Sequence, residues 1–318
     1  MYYLGIDVGG MSIKAGIVDE NGTILLKDKF PTHNERHYSD IISDIGEFSL
    51  NLIEKSGIGK ENINSVGIGI PGTPDCENGI LVYANNLGFR NVPFRDLLKK
   101  YFDCPIYIDN DANVAALAEA VAGVAKDAKI SMTITLGTGI GSGLIIDGKI
   151  FGGFNYAAPE IGHMVIVEGG ALCTCGRTGC WEAYASATGL IRMTKEAAIR
   201  FTDSKIHEIC KGNLDEIDAR TAFEAKRQGD FAASLVIVQY TKYLAAGIVN
   251  IINLFQPEIL AVGGGLSKEG DYLMDDVKKI VFSEVYSKDP VPQTKIEYAK
   301  MGNDAGIVGA AFLGLSEG

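Results

Sequence analysis

Residues 160–182 read EIGHMVIVEGGALCTCGRTGCWE, which brings one histidine, three cysteines and two outlying carboxylates into one short stretch. Cys173, Cys175 and Cys180 form CxCx4C, with Gly176 and Gly179 inside the turn and His163 upstream. Thiolate and imidazole are donors that a tetrahedral zinc accepts. A lone cysteine often behaves as a small buried hydrophobe. Three of them in a glycine-rich loop with a single large apolar residue, Trp181, make poor core sequence, so a zinc site is expected here. Four such donors close the shell of a structural site and leave Glu160 and Glu182 over. A carboxylate fixed on a braced loop accepts two hydroxyl hydrogen bonds, which suits a polyol such as a sugar. The same two residues also read as ordinary solvated loop charges, and the residues alone leave the two readings level.

Such a loop needs a scaffold, and two stretches share one plan. Residues 2–26 read as strand, glycine turn, strand, hairpin and strand; residues 131–151 repeat this, with MTITL running into GTGIGSG and then LIID. Two copies about 130 residues apart point to duplicated half-molecules whose glycine turns face each other, because solenoid repeats span only about 20–50 residues. Between the copies, apolar residues at 41, 42, 45, 48, 52 and 53 predict a helix over 40–55, with Ser39 as its cap. VGIGIPG from Val66 and IYID from Ile106 read as buried strands, the second running into the alanine-rich helix NDANVAALAEAVAG. Asn110 and Asp111 therefore fall at a strand end and a helix start, where open α/β sheets bind ligands. Asp111 at that point is either a working carboxylate or a helix cap. Further helices are expected over 188–200, 219–228 and 231–255, a strand with a third glycine turn over 258–265, and a small-residue tail helix. The boundary is placed near Asp111: a smaller lobe of residues 1–111, a larger one of 112–302 with the loop 160–182, and a tail, 303–318, free to return to the first.

With 318 residues there is chain enough for two cores. Hydrophobic residues make up 47% and no run of eighteen apolar residues occurs, so no membrane span is expected. The start, MYYLGIDVGG, lacks a basic region ahead of an apolar one, which argues for a cytoplasmic protein whose thiols stay reduced. Cys76, Cys104 and Cys210 are scattered and read as packing residues. A net charge of −11 opposes binding to nucleic acid. Glycine turns after strands let backbone N–H groups approach phosphate oxygens. Neither a P-loop nor a strand-to-helix GxGxxG is present; the GxGxG of Gly137, Gly139 and Gly141 runs into another strand.

EIGHM followed by CxCGxxGCxE resembles the paired motifs of the ROK family (repressors, open reading frames, sugar kinases), and the likeness covers nearly the whole chain. It implies an α/β fold of two actin-like (ribonuclease H-like) lobes around a central ATP and sugar cleft. Carried over, His163, Cys173, Cys175 and Cys180 would bind structural zinc, and Asn110, Asp111, Glu160, His163 and Glu182 would contact the sugar, with Asp111 as general base. Gly9, Gly10, Thr138 and Gly139 would flank the ATP phosphates with Ser12 close by, Asp7 would lie near magnesium, and Gly263 and Gly264 would border the adenosine. The family's DxGGT is broken by Met11, with Ser12 next to it. NNLGF at 85–89 is similar to a family stretch that often carries tryptophan where Phe89 stands. The implied reaction moves the γ-phosphate of Mg-ATP to the 6-hydroxyl of a hexose, glucose first, with other hexoses, N-acetylhexosamines and β-glucosides as alternatives. A homodimer or dimer of dimers is also implied. The rival classes are a sugar sensor without catalysis and a sugar-responsive repressor; the latter carries a helix-turn-helix ahead of the first DxGG, for which Asp7 leaves no room.

Overall fold

The computed structural model describes residues 1–84, 87–289 and 292–316. β1 (Tyr2–Val8), β2 (Ser12–Asp19) and β3 (Ile24–Pro31) form an antiparallel meander. Helix α1 (Tyr38–Ser56) leads back to β4 (Ile63–Ile70), which pairs parallel with β1. A small sheet of β5 (Thr73–Asp75), β6 (Ile80–Ala84) and β7 (Phe89–Val92), then the short α2 (Phe94–Leu98), precede β8 (Ile106–Asn110) beside β4. The sheet order is β3-β2-β1-β4-β8. α1 opens earlier than its sequence signal: His37, not Ser39, is the cap, because its extended backbone lets the ring nitrogen accept the Ser39 N–H.

After helix α3 (Asp111–Ala122) the plan recurs. β9 (Ile130–Leu136), β10 (Ile140–Ile146) and the two-residue β11 (Lys149–Ile150) form the meander. Helices α4 (Glu182–Ala185), α5 (Ala187–Arg200), α6 (Ile206–Ile209), α7 (Thr221–Arg227) and α8 (Phe231–Phe255) follow. β12 (Ile259–Gly263), α9 (Asp271–Glu284) and β13 (Lys295–Tyr298) complete the second sheet, in the order β11-β10-β9-β12-β13. Each sheet thus has one antiparallel flank and one parallel flank around its first strand. α8 is long and apolar enough to cross a membrane by length and composition. Here it is the spine of the larger core, with Ile237, Leu244, Ile248 and Ile252 buried in one cluster with Met132, Ile134 and Leu260.

The chain ends in α10 (Ala305–Ala311) and α11 (Leu313–Ser316). α10 packs on β1 and β4, α3 packs on β9 and β10, and the two helices pack on each other. Tyr3, Val18, Val114, Ile145 and Val308 make one apolar cluster that draws on both sheets. The approach is close because side chains are missing where they would block it. A Cβ on Gly5 would stand 1.9 Å from the Ile307 carbonyl oxygen, and one on Gly67 would stand 1.7 Å from that of Ala310. Substituting either glycine would push the tail helix off the first sheet.

Candidate active site

A cavity of about 610 Å³ is lined by the ends of β1, β8 and β9, the segment 156–160 and the start of the tail helix. Asn110 caps α3: its amide oxygen accepts the N–H groups of Ala112 (2.8 Å) and Asn113 (3.4 Å), and its amide nitrogen donates to the Gly72 carbonyl at 2.9 Å. Asp111 is therefore not the cap but the first helical residue, with its carboxyl in the cleft. Burial between the lobes raises the Asp111 pKa above the ordinary aspartate range; the Ala112 N–H works against this and the Asp7 charge adds to it. Water reaches the carboxyl through the open cleft, yet protein surrounds its other sides, and the result is a more basic carboxylate. Beneath it, Asp109 accepts from the Asn110 N–H at 2.6 Å and the Asn113 side chain at 2.9 Å, which fixes the strand end.

The first glycine turn joins β1 to β2, and Asp7 lies two residues before it. Lys14 faces Asp7 across the hairpin register and donates to its carboxylate at 2.7 Å. Gly306 packs against the same carboxyl, where an added Cβ would stand 2.5 Å from the Asp7 Cγ. The Thr32 hydroxyl donates to the Gly9 carbonyl at 2.6 Å and holds the turn from behind, while the Met11 side chain is 90% exposed. In the second turn, Gly137, Gly139 and Gly141 line the cavity, and the carbonyl of Thr138 accepts from the Thr188 hydroxyl at 2.8 Å. Gly9, Gly10, Ser12, Thr138, Gly263 and Gly264 lie off the cavity lining, whereas Asp7 and Gly139 are on it. Gly264, at φ +89°, packs against the backbone of Leu136, so the third turn abuts the strand that leads into the second.

The cysteine loop closes on itself. The Cys173 sulfur lies 3.6 Å from His163 Nδ1, the Cys175 and Cys180 sulfurs are 3.7 Å apart, and all four donor atoms lie within 4.8 Å of one another. A tetrahedron with Zn–S bonds of about 2.3 Å and a Zn–N bond of about 2.0 Å has edges of roughly 3.8 and 3.5 Å, so the donor set fits zinc. Burial, and then the neighbouring Cys175 and Cys173 thiols, push the Cys180 thiol up to about 12. A dication would allow all three sulfurs to be thiolates. Gly176 and Gly179 sit at φ +89° and +84°, and a Cβ on Gly179 would strike the Val167 carbonyl oxygen at 1.8 Å. Trp181, the one large apolar residue of the cysteine loop, anchors it: it is fully buried, donates to the Tyr243 carbonyl at 2.8 Å and packs its ring on Gly247 of α8.

His163 joins the donor set to the cleft. Its Nδ1 faces Cys173, and its Nε2 lies 4.0 Å from Glu160. Glu160 thus stands on the cleft side of the ring, opposite Cys173. Burial raises the Glu160 pKa, the His163 charge opposes the rise, and the Glu182 and Asp111 charges add to it. Glu182 faces two ways: one oxygen accepts the Ile140 N–H at 2.8 Å, and the other accepts the Thr174 hydroxyl at 3.2 Å. It thus ties the cysteine loop to the second glycine turn. Lys14, Tyr156 and the segment 302–306 also line the cavity and escaped sequence reasoning. Gly302 beside Asn303 at a helix start was the one local hint. Phe89 is buried against Phe94 and Tyr38 and belongs to the core; Asn85 and Asn86 of the NNLGF stretch fall outside the described residues.

Two sheets of one plan, closing on a cleft of carboxylates and glycine turns, define a protein of the actin-like fold class. A model of the ROK family matches residues 3–317. A glucokinase from Halalkalibacterium halodurans is 35% identical over 98% of this chain and 94% of its own length. An N-acetyl-D-glucosamine kinase from Aliivibrio fischeri is 33% identical over the whole of both chains. Among solved structures, a ROK glucokinase from Streptomyces griseus in complex with glucose and AMPPNP superposes with a TM-score of 0.80, at 34% identity, covering 98% of this chain and 99% of that one. The chain belongs to the ROK family.

Proposed function

We propose that this protein is an ATP-dependent hexose kinase that transfers the γ-phosphate of Mg-ATP to the 6-hydroxyl of glucose. The observation that carries the reading is the Asp111 carboxyl, held at a strand end by an Asn110 that does the capping, made more basic by burial, and sharing one cleft with Asp7, Glu160, His163 and Glu182. Likeness to glucokinases along the full chain supports the choice of sugar.

In this mechanism Glu160, His163 and Glu182 hold ring hydroxyls, and one N–H of the Asn110 amide remains for the sugar. Asp111 accepts the proton of the primary hydroxyl as its oxygen attacks the γ-phosphorus. Asp7, on the cavity lining, would be the carboxylate for magnesium, which would supply positive charge to the transferring group. Backbone N–H groups of the second glycine turn, steadied by Glu182, contribute the rest of the electrostatic stabilisation. Zinc, held by His163, Cys173, Cys175 and Cys180, would brace the sugar loop and take no part in the chemistry, because four protein donors leave no position for water. Assembly as a homodimer is part of the reading, supported by Phe231, Leu235 and Val238, which are exposed at helical spacing on α8.

The test is ADP release over a panel of hexoses, with the product's phosphorylated position read by NMR. Glucose-dependent ADP release and glucose 6-phosphate are the expected result. Absence of sugar-dependent ADP release would remove the reading and favour a sugar sensor. The 33% identity to an N-acetyl-D-glucosamine kinase makes 2-acetamido sugars the specific second candidate.

A further inference from the structure

Tyr156 is the only phenol, phenyl or indole ring among the described residues that line the cleft. It sits at φ +58°, in the left-handed region where a bulky side chain is an outlier. Such a conformation is costly and persists only where the surroundings impose it. They do so here. The Ala158 N–H donates to the Gly152 carbonyl at 3.0 Å and closes a short loop around the tyrosine. The Tyr156 Cδ1 is 3.6 Å from where a Cβ on Gly152 would stand, so the ring rests on bare backbone. Downstream, the Pro159 carbonyl accepts the Ser142 hydroxyl at 2.8 Å, which pins the segment to β10. A strained aromatic residue, held in place, thus stands four residues ahead of Glu160 on the second lobe's side of the cleft.

We infer that Tyr156 sets the sugar specificity: its ring closes off the space beyond C2 of the bound pyranose, admitting a 2-hydroxyl and excluding a 2-acetamido group. The inference rests on the proposed transfer to O6. O6 hangs from C5, and C2 lies diametrically across the six-membered ring from C5. A hexose with O6 at Asp111, the first residue of α3 just past the end of β8, and with its ring hydroxyls at Glu160 and Glu182 would direct its C2 substituent toward the segment that carries Tyr156. An acetamido group is larger than a hydroxyl by three heavy atoms, and a rigid wall discriminates against even one extra methylene by about 10- to 200-fold.

The experiment compares kcat/KM for glucose and N-acetylglucosamine in the native protein, Tyr156→Gly and Tyr156→Phe, with thermal melting of each. Glycine relieves the left-handed strain and opens the wall, so the glucose preference should fall by at least tenfold while the melting temperature holds or rises. Phenylalanine keeps the wall and should keep the preference within about threefold. A residue with only a structural role would lower the melting temperature of Tyr156→Gly and leave the ratio unmoved, which would overturn the inference. Native protein that uses both sugars equally well would also overturn it. ADP release with neither sugar would sink the kinase reading as well, an outcome distinct from an unchanged ratio in an active enzyme.

Discussion

The two glycine turns occupy the same place in the two sheets and are equipped differently. In the first, the positions that face each other across the hairpin hold Asp7 and Lys14, an ion pair at 2.7 Å. In the second, the matching positions hold Thr135 and Gly141, which carry no charge. The bracing differs as well. Thr32 backs the first turn with its hydroxyl on Gly9 and its N–H on Met11, whereas the second has the Thr188 hydroxyl on Thr138 and, in addition, a carboxylate from the cysteine loop, Glu182. A duplicated scaffold thus carries two different turns: one places an ion pair at the cleft, and the other is uncharged there and tied through the Ile140 N–H to Glu182. Neutralisation of charge at the first turn should damage nucleotide use, and damage at the second turn should spread to both substrates.

Of the two turns, the larger effect should come from Asp7→Asn, which removes the charge and keeps the shape. Turnover with Mg-ATP should fall by about 10²- to 10³-fold, the range for loss of one electrostatic partner at a transferring group. Thr135→Val at the matching position should cost less than about tenfold, the worth of one neutral hydrogen bond. Similar losses at the two sites, measured by steady-state kinetics over magnesium and ATP, would erase the distinction.

Cys175→Ser should come next. It should lower bound zinc, measured by plasma emission, and reduce sugar turnover by at least the roughly 100-fold that loss of an outer partner can cost a metal site. Full activity in a metal-free sample would remove zinc from the account. Glu182→Ala should then raise the KM for sugar by about 10- to 150-fold, from a loss of about 1.5–3 kcal/mol for a charged hydrogen bond. The KM for ATP should rise with it, because the Ile140 N–H loses its acceptor. Glu160→Ala should raise the KM for sugar alone. An unchanged KM for ATP in Glu182→Ala would show that the link between loop and turn carries no weight. The smallest effect belongs to Thr32→Val, which removes the hydroxyl on the Gly9 carbonyl; a stability loss of about 1 kcal/mol by denaturant unfolding is expected.

What the sequence made legible followed from how locally each feature is built. The candidate donor set His163, Cys173, Cys175 and Cys180 lies in one short loop, and its spacing announces it. The repeated strand, turn and strand plan was visible because hairpins are local, and α8 was read from Phe231 to Phe255 because its apolar run stops just before Pro257. Contacts that join distant segments were not legible. The Glu182 link to Ile140 spans 42 residues, and Gly306 meets Asp7 only because the tail helix returns to β1. Lys14 needed the hairpin register. Between neighbours, Asn110 and Asp111 both suit a cap, and backbone geometry alone gave the role to Asn110.

The central claim is that Asp111 is the general base, and Asp111→Asn tests it most directly because the cap on α3 is its neighbour. Burial raises the carboxyl's pKa in the fold, so any stability it contributes is present below the unfolded aspartate value and lost as pH rises through the folded one. At neutral pH the amide should therefore leave the melting temperature unchanged or higher. The account predicts a fall in kcat of at least about 100-fold, the lower end of what a positioned base supplies, with glucose and nucleotide affinities changed far less by calorimetry. A folded Asp111→Asn protein that keeps more than roughly a tenth of native kcat would contradict it.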